Sequence, residues 1–303
     1  MNGYYKFLVL GLVLLVGFGM NSNRQLFGHT FSGDESASFL ATVEMIKIES
    51  QLAADQLPNA TLAKEHVDHM TEHLTANDTK EIKERNERVA TELNNSLADF
   101  ANTIESGSAS ESDAKDKVSN LNDVLADVVN ARIDQQQINN VTVKALVVND
   151  LVGEGLEHYG SALGMAEESE TEDSHSENKS SESHSAENGG NQSANIVDEA
   201  DYQSAQAAVS RAIDLFNEIK TNNSTELGQS LTSLKEKIDS KSPFDEIDQT
   251  VDDIISPMLN DIFKLDLSEE EHHGEEGEQA EDDGHEDNES SAQNETHESE
   301  AKG

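Results

Sequence analysis

Cysteine and tryptophan are absent from this 303-residue chain, proline occurs three times, and aromatic residues make up only 4% of it. The lack of cysteine excludes disulfide scaffolds, thiol catalysis and thiolate-ligated zinc or iron–sulfur sites. The shortage of aromatic and β-branched residues argues against a large all-β or α/β core. Positive charge is also scarce, with 20 Lys plus Arg against 62 Asp plus Glu, a formal net charge of -42. A nucleic-acid partner is excluded on that ground, because phosphate binding needs a basic footprint that displaces counterions. Catalytic signatures are missing as well. The chain contains no Gly-rich phosphate loop, no Gly-x-Ser-x-Gly elbow and no His-Glu-x-x-His pair.

What is present is unevenly distributed. Residues 167–194 carry 8 acids and 1 Lys, and residues 268–303 carry 15 acids and 1 Lys, so these two stretches hold half of the net charge. Built from Glu, Ser, Asn, Gly and His, they cannot bury enough apolar surface to offset chain entropy. The reading is a disordered acidic linker over 167–197 and a disordered, His-containing acidic tail over 267–303. Two ordered segments remain, a helical bundle over 35–166 and a three-helix unit over 198–266.

The first 34 residues read as a signal peptide or an N-terminal membrane anchor followed by a short spacer. Phe7–Met20 is an unbroken run of fourteen apolar or Gly residues. That length suits a secretory leader better than a membrane span, which needs about 20 residues. Ten Asn-x-Ser/Thr sequons, against roughly four expected by chance, agree with export. Asn59, Asn77, Asn94, Asn140 and Asn222 are the glycosylation candidates within the helical segments. The expected location is extracytoplasmic, secreted or at the cell surface, with membrane contact only through the N-terminal segment.

Apolar residues recur at three-four spacing through both ordered segments, which predicts an all-α protein of antiparallel helical bundles. The predicted helices are 35–56, 61–75, 78–104, 113–135 and 141–163, then 198–220, 225–240 and one opened by Ser242-Pro243-Phe244-Asp245 and kinked by Pro257 near Ile254. Helix 141–163 is apolar nearly all round and is expected to be buried. The pattern Leu93-Asn-Asn-Ser-Leu97 through Ile104-Glu-Ser matches Leu227-Gly-Gln-Ser-Leu231 through Ile238-Asp-Ser, and Leu121–Leu125 matches Val251–Ile255. This suggests a degenerate duplication of a three-helix unit.

One constellation carries chemistry. His66, His69 and His73 fall within about 60° of one another on helix 61–75, beside Val67, Met70 and Leu74. Neutral imidazoles on one stripe, flanked by Glu65 and Glu72, suit copper, zinc or iron, with a further ligand from a neighbouring helix. The competing reading is a solvated stripe on an exposed helix. A di-iron carboxylate centre would need paired Glu-x-x-His motifs; Glu154-x-x-Glu157-His158 adds carboxylates without completing that pattern. Asp282-Asp283-Gly284 lacks the ligand spacing of a calcium loop.

Ala63-Lys-Glu-His66-Val-Asp-His69-Met-Thr-Glu-His73-Leu resembles the repeated Ala-x-x-His helices of small exported His-rich metal-binding helical proteins. Tyr202-Gln-Ser-Ala-Gln through Phe216-Asn-Glu-Ile-Lys is similar to the extracytoplasmic helical regions attached to some ferric-iron permeases. Both resemblances imply metal handling outside the cytoplasm. The expectation is therefore a non-enzymatic helical protein that binds or buffers divalent or transition-metal cations. The alternative is a cell-surface or envelope scaffold with a protein partner and acidic spacers.

Overall fold

A computed structural model describes residues 33–165 and 193–265, and every regular element among them is helical. The Phe7–Met20 run, residues 166–192 of the acidic linker, the acidic tail and the sequons at Asn178, Asn191, Asn288 and Asn294 lie outside the described residues. No helix among the described residues is long and apolar enough to cross a membrane.

Local capping sets where helices begin. Helix α1 (Gly33–Asp55) ends before Pro58, and the Asn59 side chain accepts from Leu62 N to start α2 (Ala60–Glu72). Thr75 and Asp78 form a reciprocal capping box on α3 (Ala76–Arg85). The single helix expected over 78–104 is in fact broken at Asn86. That residue takes an extended conformation, φ -154°, and its side chain accepts from Val89 N to cap α4 (Glu87–Glu105). Ser110 and Asp113 box the start of α5 (Glu111–Arg132); the short α6 (Gln135–Ile138) follows, then Asn140 caps α7 (Val141–Ala162).

The second segment supplies α8 (Glu199–Ile219), capped by Asp198, then α9 (Thr225–Asp239) and α10 (Phe244–Thr250). The expected Ser242 box is not formed; Pro243 occupies the N-cap position without a side-chain cap. A single π-helical turn, Val251–Ile255, precedes α11 (Ser256–Phe263), whose second residue is Pro257. The predicted kink is thus taken up as a widened turn, which accommodates the backbone bond that Pro257 cannot donate. Of the proposed duplicates, Leu121–Leu125 is α-helical and Val251–Ile255 is this π turn, so the two differ in local geometry.

Helix α1 packs on α2, α5, α7 and α8. Its buried residues therefore point to more than one side, and Glu49 and Ser50 are buried with them. Phe39, Val43 and Ile46 join Val67, Met70, Leu93, Phe100, Leu121 and Leu125 in one core. Arg132 closes its edge, with its guanidinium 3.8 Å over the Phe39 ring and 2.6 Å from both Asp78 and Glu81.

The two segments read as separate blocks share one compact unit, and α7 with α8 is its most extensive helix pair. Residues 194–197, expected within the disordered linker, are ordered. Ala194 N donates to Lys241 O, and Val197 N and Asp198 N both donate to Ala162 O, which turns α8 back along α7. The helices approach closely at Gly155, where an added Cβ would lie 2.7 Å from Val209 Cγ2 and 3.4 Å from Ala205 O. Gly155→Val should therefore destabilise the protein by about 2 kcal/mol through overpacking. Gly153, where an added Cβ meets nothing within 4 Å, should gain up to about 1 kcal/mol on Gly153→Ala from helix propensity. Urea denaturation of both variants checks this, and a destabilised Gly153→Ala or a neutral Gly155→Val would contradict the packing.

Candidate metal centre

Four helices bring acids and histidines together. The α1–α2 hairpin sets Glu49 against His66, His69 and His73; α7 supplies Glu154 and His158; the first turn of α8 supplies Asp201 and then Gln203. Glu49 and His66 are both fully buried. A carboxylate in the interior of a helical bundle costs several kcal/mol unless it is paired on both oxygens.

The pairing is only half complete. His66 Nδ1 lies 2.8 Å from Glu49 Oε2, and His66 Nε2 lies 3.1 Å from Gln203 Oε1. Glu49 Oε1 is buried with no hydrogen-bond partner, and so are His69 Nδ1 and His73 Nε2. Three orphaned buried atoms on adjacent residues of two helices are unusual, because nearly all buried polar groups are satisfied. His69 lies between two carboxylates, with Nδ1 3.8 Å from Glu49 Oε2 and Nε2 3.8 Å from Asp201 Oδ1. His158 Nδ1 is 2.8 Å from Asp201 Oδ1. When that nitrogen donates to Asp201, Nε2 keeps a free lone pair, the arrangement in which a carboxylate orients a ligating histidine.

Three groups could each hold a metal ion: Glu49 with His73 and His158, Glu49 with His66 and His69, and His69 with His158 and Asp201. Within each group the donor atoms lie within 4.8 Å of one another. Tetrahedral ligands at 2.0–2.1 Å sit about 3.3 Å apart, so modest side-chain movement closes any of them on an ion. A cavity of roughly 470 Å³ reaches His69, His73 and His158, with Glu72, Glu154 and Glu157 in its wall and no Lys or Arg among its lining residues.

Burial and neighbouring charge push the rings apart. Burial drives the His73 pKa down to about 4, with Glu49 pulling it up and His158 and His69 adding to the fall. Burial also lowers His158, but the hydrogen bond to Asp201 and the charges of Glu49, Asp201 and Glu154 outweigh it and raise its pKa. Burial lifts the Glu154 carboxyl, with His158 opposing and Glu49 assisting. With its pKa lowered that far, the His73 imidazole is neutral at physiological pH.

The structure gathers His66, His69 and His73 at one site, in keeping with their spacing along α2. Glu72 lies at the exposed rim of the cavity, and Glu65 is not among its lining residues. Glu49, His158 and Asp201 join them without having stood out as ligands in the sequence. A signal for Glu49 existed, since it follows Ile46 by three positions and precedes Ala53 by four, an acid on an apolar stripe. Asp201 carries no such signal, because an acid in a first helical turn is ordinary. Asn59, Asn77, Asn94, Asn140 and Asn222 are all exposed; Asn59 and Asn140 also serve as helix caps. No protein-family model, curated protein or solved structure matches the chain.

The opposite shifts of His73 and His158 give a titration prediction. In metal-free protein the His73 ring resonances should titrate near pH 4, and those of His158 above the ordinary value of 6.5. Unfolded chain takes up a proton at His73 more readily than folded chain does, so acidification from 6.5 towards 4 destabilises the fold through this ring. His158 acts oppositely: its contribution is full below 6.5 and fades as pH rises past its raised value. Imidazole NMR across pH 3.5–8 reads both, and coincident midpoints for the two rings would contradict the burial and contacts described.

Proposed function

We propose that the protein is a non-enzymatic metal-binding protein that acts outside the cytoplasm, where it binds or buffers a transition-metal ion in the interior of its helical bundle. The observation that carries this reading is the set of orphaned buried atoms, Glu49 Oε1, His69 Nδ1 and His73 Nε2, beside a His158 ring held by Asp201. A cation held by Glu49, His73 and His158 satisfies two of them, and the described residues hydrogen-bond to none of the three. The donors are nitrogen and oxygen without sulfur, a set that suits zinc, copper(II) or iron better than copper(I). An acidic cavity wall free of Lys and Arg favours cation entry. Export rests on the Phe7–Met20 run and the sequons of the sequence; the intact mass of protein from its native source reads leader removal and glycans together.

Thermal stability in zinc tests the binding. Ions that bind folded and unfolded chain alike add little, whereas an interior site binds only the folded form. Zinc at a hundredfold excess over its dissociation constant should stabilise the full chain by about 2.7 kcal/mol. Glu49→Gln, which keeps the side-chain shape, and the pair His73→Ala with His158→Ala should lose that gain. An equal zinc effect in wild type and variants would remove the metal reading and leave the envelope-scaffold reading, in which the helices serve only as a framework for a protein partner.

A further inference from the structure

His66 is held between two hydrogen-bond acceptors at the edge of the candidate site. Gln203 Oε1 accepts from Gln56 Nε2 at 3.0 Å, while Gln203 Nε2 is directed to the Glu199 carboxylate at 3.4 Å. The Glu199 carboxylate can only accept, which turns the Gln203 amide nitrogen towards it and Oε1 towards His66, so His66 Nε2 donates. Nδ1 of the same ring faces the Glu49 carboxylate, which is also an acceptor. The 2.8 Å contact between Nδ1 and Oε2 is a hydrogen bond, and its hydrogen is the one that a metal ion on Nδ1 would replace. His69 Nδ1, orphaned and 3.8 Å from the same carboxylate oxygen, lies next to that contact.

From this geometry, and resting on the metal-binding reading above, we propose that the bundle holds a dinuclear centre bridged by the Glu49 carboxylate. One ion is bound by His73, His158 and one oxygen of Glu49. The second is bound by His66, His69 and the other oxygen. The two histidine pairs are disjoint, and each forms a close group with Glu49. On entry the second ion takes the Nδ1 lone pair of His66, and the proton held between Nδ1 and Oε2 leaves to solvent. His66 Nε2 keeps its hydrogen and donates it to Gln203 Oε1, which then orients the ligating ring as Asp201 orients His158.

The charge of the site suits cations. Glu49 and Asp201 contribute two carboxylates at the centre, and Glu72 and Glu154 stand in the cavity wall with no Lys or Arg among its lining residues. Bridged pairs in two-metal sites are held about 3.5–4 Å apart, a separation that one carboxylate with an ion on each oxygen provides.

Copper(II) is the probe, loaded on the full chain and then passed over a weak chelating resin to strip loosely held ions. Electron paramagnetic resonance should show a spin-coupled pair with a half-field transition, and X-ray absorption of the zinc-loaded protein should show a metal–metal vector near the separation above. His69→Ala, on the less buried ring, and separately His66→Gln should abolish the coupling and leave one isolated copper, a fall from two tightly held equivalents to one. Glu49→Gln should lose the coupling as well. An isolated copper in wild type that disappears in His73→Ala overturns the second ion while sustaining the single-ion reading. Copper retention unchanged across every variant overturns both, because it places all bound metal outside the bundle. Circular dichroism of each variant, matched to wild type, accompanies the count; should His66→Gln fail to fold, the His69→Ala result decides.

Discussion

A carboxylate with no exposed surface and one unpaired oxygen needs a positive partner, and Glu49 is placed so that several helices answer it. It sits on α1, the helix that packs on both halves of the molecule, and its neighbours are rings from α2 and α7. His66 meets one oxygen, the other has no hydrogen-bond partner, and His73 and His158 form a close group with the same carboxylate. Removing a charge of this kind from water is costly in a low-dielectric interior. The surrounding histidines, Asp201 and Gln203 are arranged around that cost, and the metal chemistry proposed for the protein follows from it.

The rest of the fold serves this placement. The turn between Gln56 and Asn59 reverses the chain so that α2 returns along α1, and the Asn59 cap sets where α2 begins. Close packing of α7 on α8 at Gly155, with both Val197 N and Asp198 N bound to Ala162 O, brings Asp201 within hydrogen-bond reach of His158. Arg132, bound to Asp78 and Glu81 and stacked on Phe39, holds α5 against α3 and the start of α1 on the far side. The candidate donors come from helices far apart in the chain, Glu49 on α1, the histidines of α2 and His158 on α7, and Asp201 of α8 is hydrogen-bonded to His158.

Several of these features are legible in the amino-acid pattern. Three-four periodicity locates nearly every helix, and the apolar character of Val141–Leu163 anticipates the burial of α7. His66, His69 and His73 lie on one stripe, as 100° per residue requires. Other features are not legible there. A break at Asn86 depends on a single side chain capping a new helix rather than continuing the old one, and both options are compatible with the same residues. The π turn before Pro257 is likewise one of several ways to accommodate a missing donor.

What the chain alone determines is short-range. Composition excludes thiolate ligation by this chain, periodicity dictates helices, and a short stretch of α2 places three imidazoles on one face. These follow from side-chain types and from the geometry of a single helix. Only the tertiary structure decides that Glu49 is the buried anion, that His158 and Asp201 complete its surroundings, and that the segments on either side of the acidic linker form one unit. Those facts depend on which helix faces pack together across separations of 43 to 147 residues. Periodicity says that a face is apolar without saying which other face it meets, and that choice is made by packing in three dimensions.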